Sequence, residues 1–274
     1  MDVTTRNFFR LLRAGVFQQQ EAVEPLSVWK WNRLYQLSLF YDVTVPIYEG
    51  INRCRDQYFL QIPTELDDIW QQHTSPVQIE EEEEDPNDFL YPYHLTHPIL
   101  NHRLQDILDD EQSDSQTRRL LILLLQVTRY FINEGFPVKP LVELGQYLRG
   151  EDSKVDSYLF NTWMKKLKLN EMASLTGDML ITLLGFTKEE LPFDVNNNSA
   201  EVEQIVEELL QPHLTSSREW YFQQGENNIF VHNSNSMAML WYIRHSARYF
   251  KYYPSESITN FFSSFAHSLS HIEE

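Results

Sequence analysis

Apolar side chains recur at three- and four-residue spacing along almost the whole of this 274-residue chain. That period matches the 3.6 residues of an α-helical turn and restricts the fold more than any other feature. Phe8, Leu11 and Leu12 open the series on a helix expected to end near Gly15. Ser27 is placed to cap a second helix, with Val28, Trp31, Tyr35 and Leu39 on its buried stripe and Leu34 and Leu37 widening it. Thr44 and Pro46 start a third, with Ile47, Ile51, Cys54 and Tyr58 in register, and Thr64 with Asp67 approximates a capping box before Leu66, Ile69 and Trp70. Helical spacing resumes at Pro98. Ser115 is the expected cap of the most hydrophobic stretch, Leu120 to Phe131, which has so little polar surface that other helices must enclose it. Pro140 begins a helix that Gly150 ends, and further stripes run from Val155 to Leu167 and from Met172 to Gly185. Thr187 to Leu191 reads as a one-turn element closed by Glu190, and Ser199 leads into Val202, Ile205, Val206 and Leu209. Two last helices carry Leu240 to Phe250 and Ile258 to Leu269.

The predicted class is all-α, an irregular bundle of about ten to twelve helices with at most a minor strand at Ile229 to Val231. Only eight glycines are present, fewer than the tight turns of a sandwich or barrel require. No internal repeat of fixed period points to a solenoid. Three segments are expected: an N-terminal helical part over 1–72, an acidic loop over 73–97 containing the run Glu80 to Glu84, and a C-terminal helical domain over 98–274 packed with the first part as one unit.

A formal charge of -18 repels phosphate backbones and anionic lipid, so neither nucleic acid nor a membrane is an expected partner. Leu120 to Leu125 is far short of the roughly 20 apolar residues of a membrane span. The single cysteine, Cys54, allows no internal disulfide. With no secretory pattern at the start, these features give a cytoplasmic protein as the expectation.

Residue constellations for catalysis are sparse. No closely spaced glycines form a phosphate loop, and no Gly-x-Ser-x-Gly elbow is present. His94 and His97, with His102, Asp85 and Asp88, have the ligand types of a metal site, but His97 directly before Pro98 equally suits a helix terminus. His267 and His271 stand four apart without a third ligand. Tyr249, Phe250, Tyr252 and Tyr253 beside Arg244, Arg248 and Lys251 suit either base stacking or core packing, and packing is the expectation. No cofactor and no metal are expected.

The order of the helical motifs resembles a family of putative bacterial nucleotidyltransferases. The similar stretches are Phe8-Phe9-Arg10-Leu11-Leu12-Arg13-Ala14-Gly15, the helix from Trp31 to Tyr41, Tyr130-Phe131-Ile132-Asn133-Glu134-Gly135 followed by Lys139 and Glu143, and Leu184-Gly185 through Leu191-Pro192. The family's catalytic sheet needs a Gly-Ser turn for the triphosphate and an Asp-x-Asp pair for Mg²⁺. In this chain no glycine precedes a serine and no two aspartates stand two apart. The resemblance therefore implies a pseudoenzyme, a non-catalytic helical scaffold binding a protein partner, a second copy or a small ligand. The alternative is a divergent Mg²⁺-dependent nucleotidyltransferase using Asp85, Asp88 and Asp106 or Asp109. Arg129, Lys139, Glu143, Arg244 and Arg248 are the candidate interaction residues.

Overall fold

The computed structural model describes residues 1–58, 60–74, 93–110, 114–150, 155–210 and 249–259. These form an all-α bundle: α1 (Val3–Phe17), α2 (Val28–Phe40), α3 (Thr44–Arg53), α4 (Thr64–Thr74), α5 (Pro98–Leu108), α6 (Ser115–Asn133), α7 (Val138–Arg149), α8 (Ser157–Leu167), α9 (Asn170–Leu184), a 3-10 turn Lys188–Glu190 and α10 (Ser199–Leu209). Residues 254–259 are also helical, and no strand occurs among the described residues. Of the acidic loop expected over 73–97, His73 and Thr74 instead complete α4 and 75–92 lie outside the described residues, as does the Ile229 to Val231 segment.

Three helices are buried on most sides. α6 encloses every residue from Leu120 to Leu125, as its apolar surface requires. α9 is sealed from Met172 to Leu184 apart from its 181–182 edge. α1 lies between α2 and α3 on one side and α7 and α9 on the other. A single apolar cluster runs through the N-terminal and C-terminal helices alike. Arg13 adds a polar tie, donating to the Leu183 carbonyl at the end of α9 (3.0 Å) while Glu21 holds its guanidinium at 2.6 and 2.8 Å.

α1 does not stop at Gly15. It continues to Phe17, because Gly15 is a packing position rather than a terminator. A Cβ at Gly15 would stand 1.8 Å from the Pro46 carbonyl oxygen, and one at Gly50 would stand 1.9 Å from that of Leu11. The two glycines thus let the backbones of α1 and α3 touch, an approach that any side chain would prevent.

Other boundaries shift for local reasons. Asp114, not Ser115, caps α6, its carboxylate accepting from Thr117 N (2.9 Å). Asn198 likewise caps α10 ahead of Ser199. α7 begins at Val138, with Pro140 inside its first turn. α3 ends at Arg53, leaving Tyr58 81% exposed. Asp67 is engaged by Arg55 at 2.7 and 3.0 Å instead of closing a capping box. In α2 the buried stripe is Trp31, Leu34 and Leu37, while Val28 and Leu39 face outward, a rotation set by packing on α1 and α3. The capping box of Thr187 and Glu190 forms as expected.

Candidate ligand-binding groove

The groove is built where α2 turns into α3 against the end of α6 and the start of α7. α2 finishes in a left-handed turn. Val43 N donates to the Ser38 carbonyl and Asp42 N to that of Leu39, with Asp42 at φ 52° in a position glycine usually takes. An aspartate tolerates this conformation better than most side chains. The turn carries the Asp42 carboxylate to Lys139 Nζ on α7, 2.5 Å away.

On α6 the apolar run is interrupted by Gln126, Arg129, Tyr130 and Asn133, spaced along one face. These residues, with Tyr41, Tyr93 and Glu143, line a cleft of about 390 Å³. A more open hollow of about 880 Å³ lies on the other side of Lys139, between α3 and α7, and includes Asp42, Glu49, Arg53, Glu143 and Gln146. The Lys139–Asp42 ion pair thus lines both recesses.

Within the cleft Gln126 Nε2 donates to the Tyr93 hydroxyl at 2.8 Å. Gln126 Oε1 and the Tyr41 hydroxyl are buried and have no hydrogen-bond partner. Glu143 is half-buried, and among the described residues its carboxylate makes neither a hydrogen bond nor an ion pair within 4.0 Å. Burial raises its pKa above the ordinary carboxylate range, with Lys139 pulling the other way and Asp42 adding to the rise. Lys139 is held protonated above its usual range, chiefly by its hydrogen bond to Asp42. Burial likewise raises Tyr93, with a smaller push from Glu143. A half-buried, unbridged carboxylate carries a desolvation cost that a structural role does not require.

Arg129, Lys139 and Glu143, named from the sequence, thus come together on one groove, whereas Arg244 and Arg248 lie outside the described residues. Lys139 pairs across to Asp42 rather than with Glu143 four residues on. Asp42, Tyr41, Tyr93 and Gln126 were not singled out. A signal did exist for Gln126, since polar residues at 126, 129 and 133 form a stripe on an otherwise apolar helix. The Tyr41–Asp42 turn has no comparable sequence mark.

The other candidates resolve into packing or solvent. His97 caps α5 through Nδ1, while His94 and His102 are exposed. Asp106 sits 3.9 Å from both His102 and Lys166, and Asp109 is exposed at the end of α5. Among the described residues no three His, Cys, Asp or Glu side chains are grouped to hold a metal ion. Cys54 is buried, and burial pushes its thiol up, away from the reactive thiolate. Tyr249, Tyr252 and Tyr253 are buried, the first two against Phe131 of α6. His267, His271, Asp85 and Asp88 lie outside the described residues. No helix among the described residues is long and apolar enough to cross a membrane. Comparison with family models, curated proteins and solved structures finds no match for this chain.

Proposed function

We propose that this chain is a non-catalytic helical scaffold, a pseudoenzyme related to nucleotidyltransferases through its helical flanks, that binds a small polar ligand in the groove between α2, α6 and α7. The observation that carries the reading is the meeting of Arg129, Lys139 and the half-buried, unbridged Glu143 in one cleft of ligand size. A protein partner fits less well, because the charged side chains meet in a recess rather than on a flat face. The missing Gly-Ser turn and Asp-x-Asp pair support the non-catalytic part of the reading.

Two measurements test it. Calorimetry with ATP, CTP, GTP and UTP, each with and without Mg²⁺, is expected to give no metal-dependent heat; saturable Mg²⁺-dependent heat would establish the divergent transferase instead. Native mass spectrometry of the full chain is expected to detect a small bound species that Asn133→Trp, which fills the cleft, removes. A species retained in that variant would place the ligand elsewhere.

A further inference from the structure

We propose that the outer face of α2 is the surface through which two copies of this chain associate, with the two α2 helices antiparallel about a twofold axis. The inference is independent of the reading of the groove.

The face is apolar and uncharged. α2 buries Trp31, Leu34 and Leu37, and its opposite side carries Val28, Trp29, Asn32, Gln36, Leu39 and Phe40, all exposed. Val28 is 61%, Trp29 59%, Leu39 44% and Phe40 41% exposed. Among the described residues no other helix from α1 to α10 exposes more than one large apolar side chain. Single exposed apolar residues are ordinary on a monomer, whereas four on one helix face mark a contact surface. Trp is also among the side chains that most often carry binding energy.

Charge and symmetry select a second copy as the occupant. Each copy has a formal charge of -18, so two copies join most readily where neither brings charge into the contact. None of the six side chains is charged, and Arg33, at the edge of the face, is paired with Asp2 at 3.0 Å. In a twofold contact residue i meets j and j meets i. About a centre at position 34, Val28 and Trp29 mirror Leu39 and Phe40, and Asn32 mirrors Gln36. Antiparallel pairing therefore sets the apolar ends of one α2 against those of the other, with amide facing amide in the middle. Asn32 Nδ2 donates to the Val28 carbonyl of its own helix (3.0 Å), which leaves Oδ1 to accept from the Gln36 amide of the second copy. Antiparallel packing also opposes the two helix dipoles, which parallel packing would align. The helix is about 20 Å long. The contact thus buries less than the roughly 800 Å² per partner of a standard interface, and a micromolar rather than a nanomolar dimer is expected.

The test is sedimentation velocity of the full chain, from micromolar to near-millimolar concentration at physiological ionic strength. The parent is expected to pass reversibly from monomer to dimer. Val28→Glu and Leu39→Lys are each expected to weaken dimerisation by about tenfold or more. An acid in the first turn and a base in the last both suit the helix dipole, so each variant keeps its fold, checked by the melting curve of dilute protein. The two positions are about 16 Å apart along one helix and cannot pair within a chain. In the double variant, antiparallel pairing puts each glutamate on the other copy's lysine, so it is expected to dimerise more tightly than either single variant. A chain that stays monomeric throughout overturns the proposal. A dimer that neither single substitution weakens lies on another surface and overturns it too, as does a double variant no tighter than the single ones, which rules out the antiparallel pairing.

Discussion

Glycine and glutamate supply the sharpest tests at the scale of single residues. Helix propensity alone predicts that Gly15→Ala and Gly50→Ala stabilise the chain by about 1 kcal/mol each. The added methyl, however, would stand within 2 Å of a backbone carbonyl that can yield only if two helices separate. Each is expected to destabilise by about 1–3 kcal/mol or more in urea unfolding, whereas Gly150→Ala at an exposed helix end stays within about 0.5 kcal/mol. Glu143 behaves in the opposite sense. Its raised pKa means the folded state holds the proton more tightly than the unfolded chain. Its contribution therefore favours folding at low pH and is lost as pH rises through the folded value. Glu143→Gln removes that loss, so its melting temperature should exceed the parent's by about 2 °C at pH 7 and converge with it in acid. A lower melting temperature at pH 7 would mean the carboxylate is structural.

Among the elements, α6 shows how little a boundary depends on apolar period. Its stripe is unmistakable, yet which of two adjacent polar residues caps it is decided by where each oxygen lies relative to the Thr117 N–H. Asp114→Ala should cost about 1 kcal/mol and Ser115→Ala less than about 0.5 kcal/mol, measured by thermal or urea unfolding. The same helix also builds the groove, because its polar stripe at 126, 129 and 133 opens on the side that α2 and α7 leave uncovered. The rotation of α2 belongs at this scale too. Its apolar residues occupy more than one face, so periodicity allowed two stripes, and contact with α1 and α3 selected the one through Trp31, Leu34 and Leu37.

At the scale of the molecule, α1 is the element that joins the two helical parts, through α3 on one side and α7 and α9 on the other. The buried Glu256 carboxylate adds a second long-range tie, accepting from the backbone N–H groups of Thr96 and His97 at the start of α5 (2.5 and 2.9 Å). Because one apolar cluster spans both parts, they should unfold together. Urea transitions followed by far-ultraviolet circular dichroism and by tryptophan fluorescence should coincide, both in the parent chain and when Trp163, Trp220 and Trp241 are all replaced by Phe, which leaves only the N-terminal Trp29, Trp31 and Trp70 to report. Separate midpoints would show that the cluster does not act as one cooperative core.

The sequence by itself determined the class of structure and most of its elements, because a helix records its buried face in local spacing that needs no knowledge of what lies opposite. It also marked Arg129, Lys139 and Glu143. Tertiary structure alone decided that those three meet and that Lys139 turns to Asp42 and leaves Glu143 unbridged. It also decided that Gly15 and Gly50 are contact points rather than ends. The division follows from the reach of the interactions. A helical stripe joins residues three or four apart, whereas the groove and the α1–α3 contact join residues brought close only by packing, and local sequence carries no record of that distance.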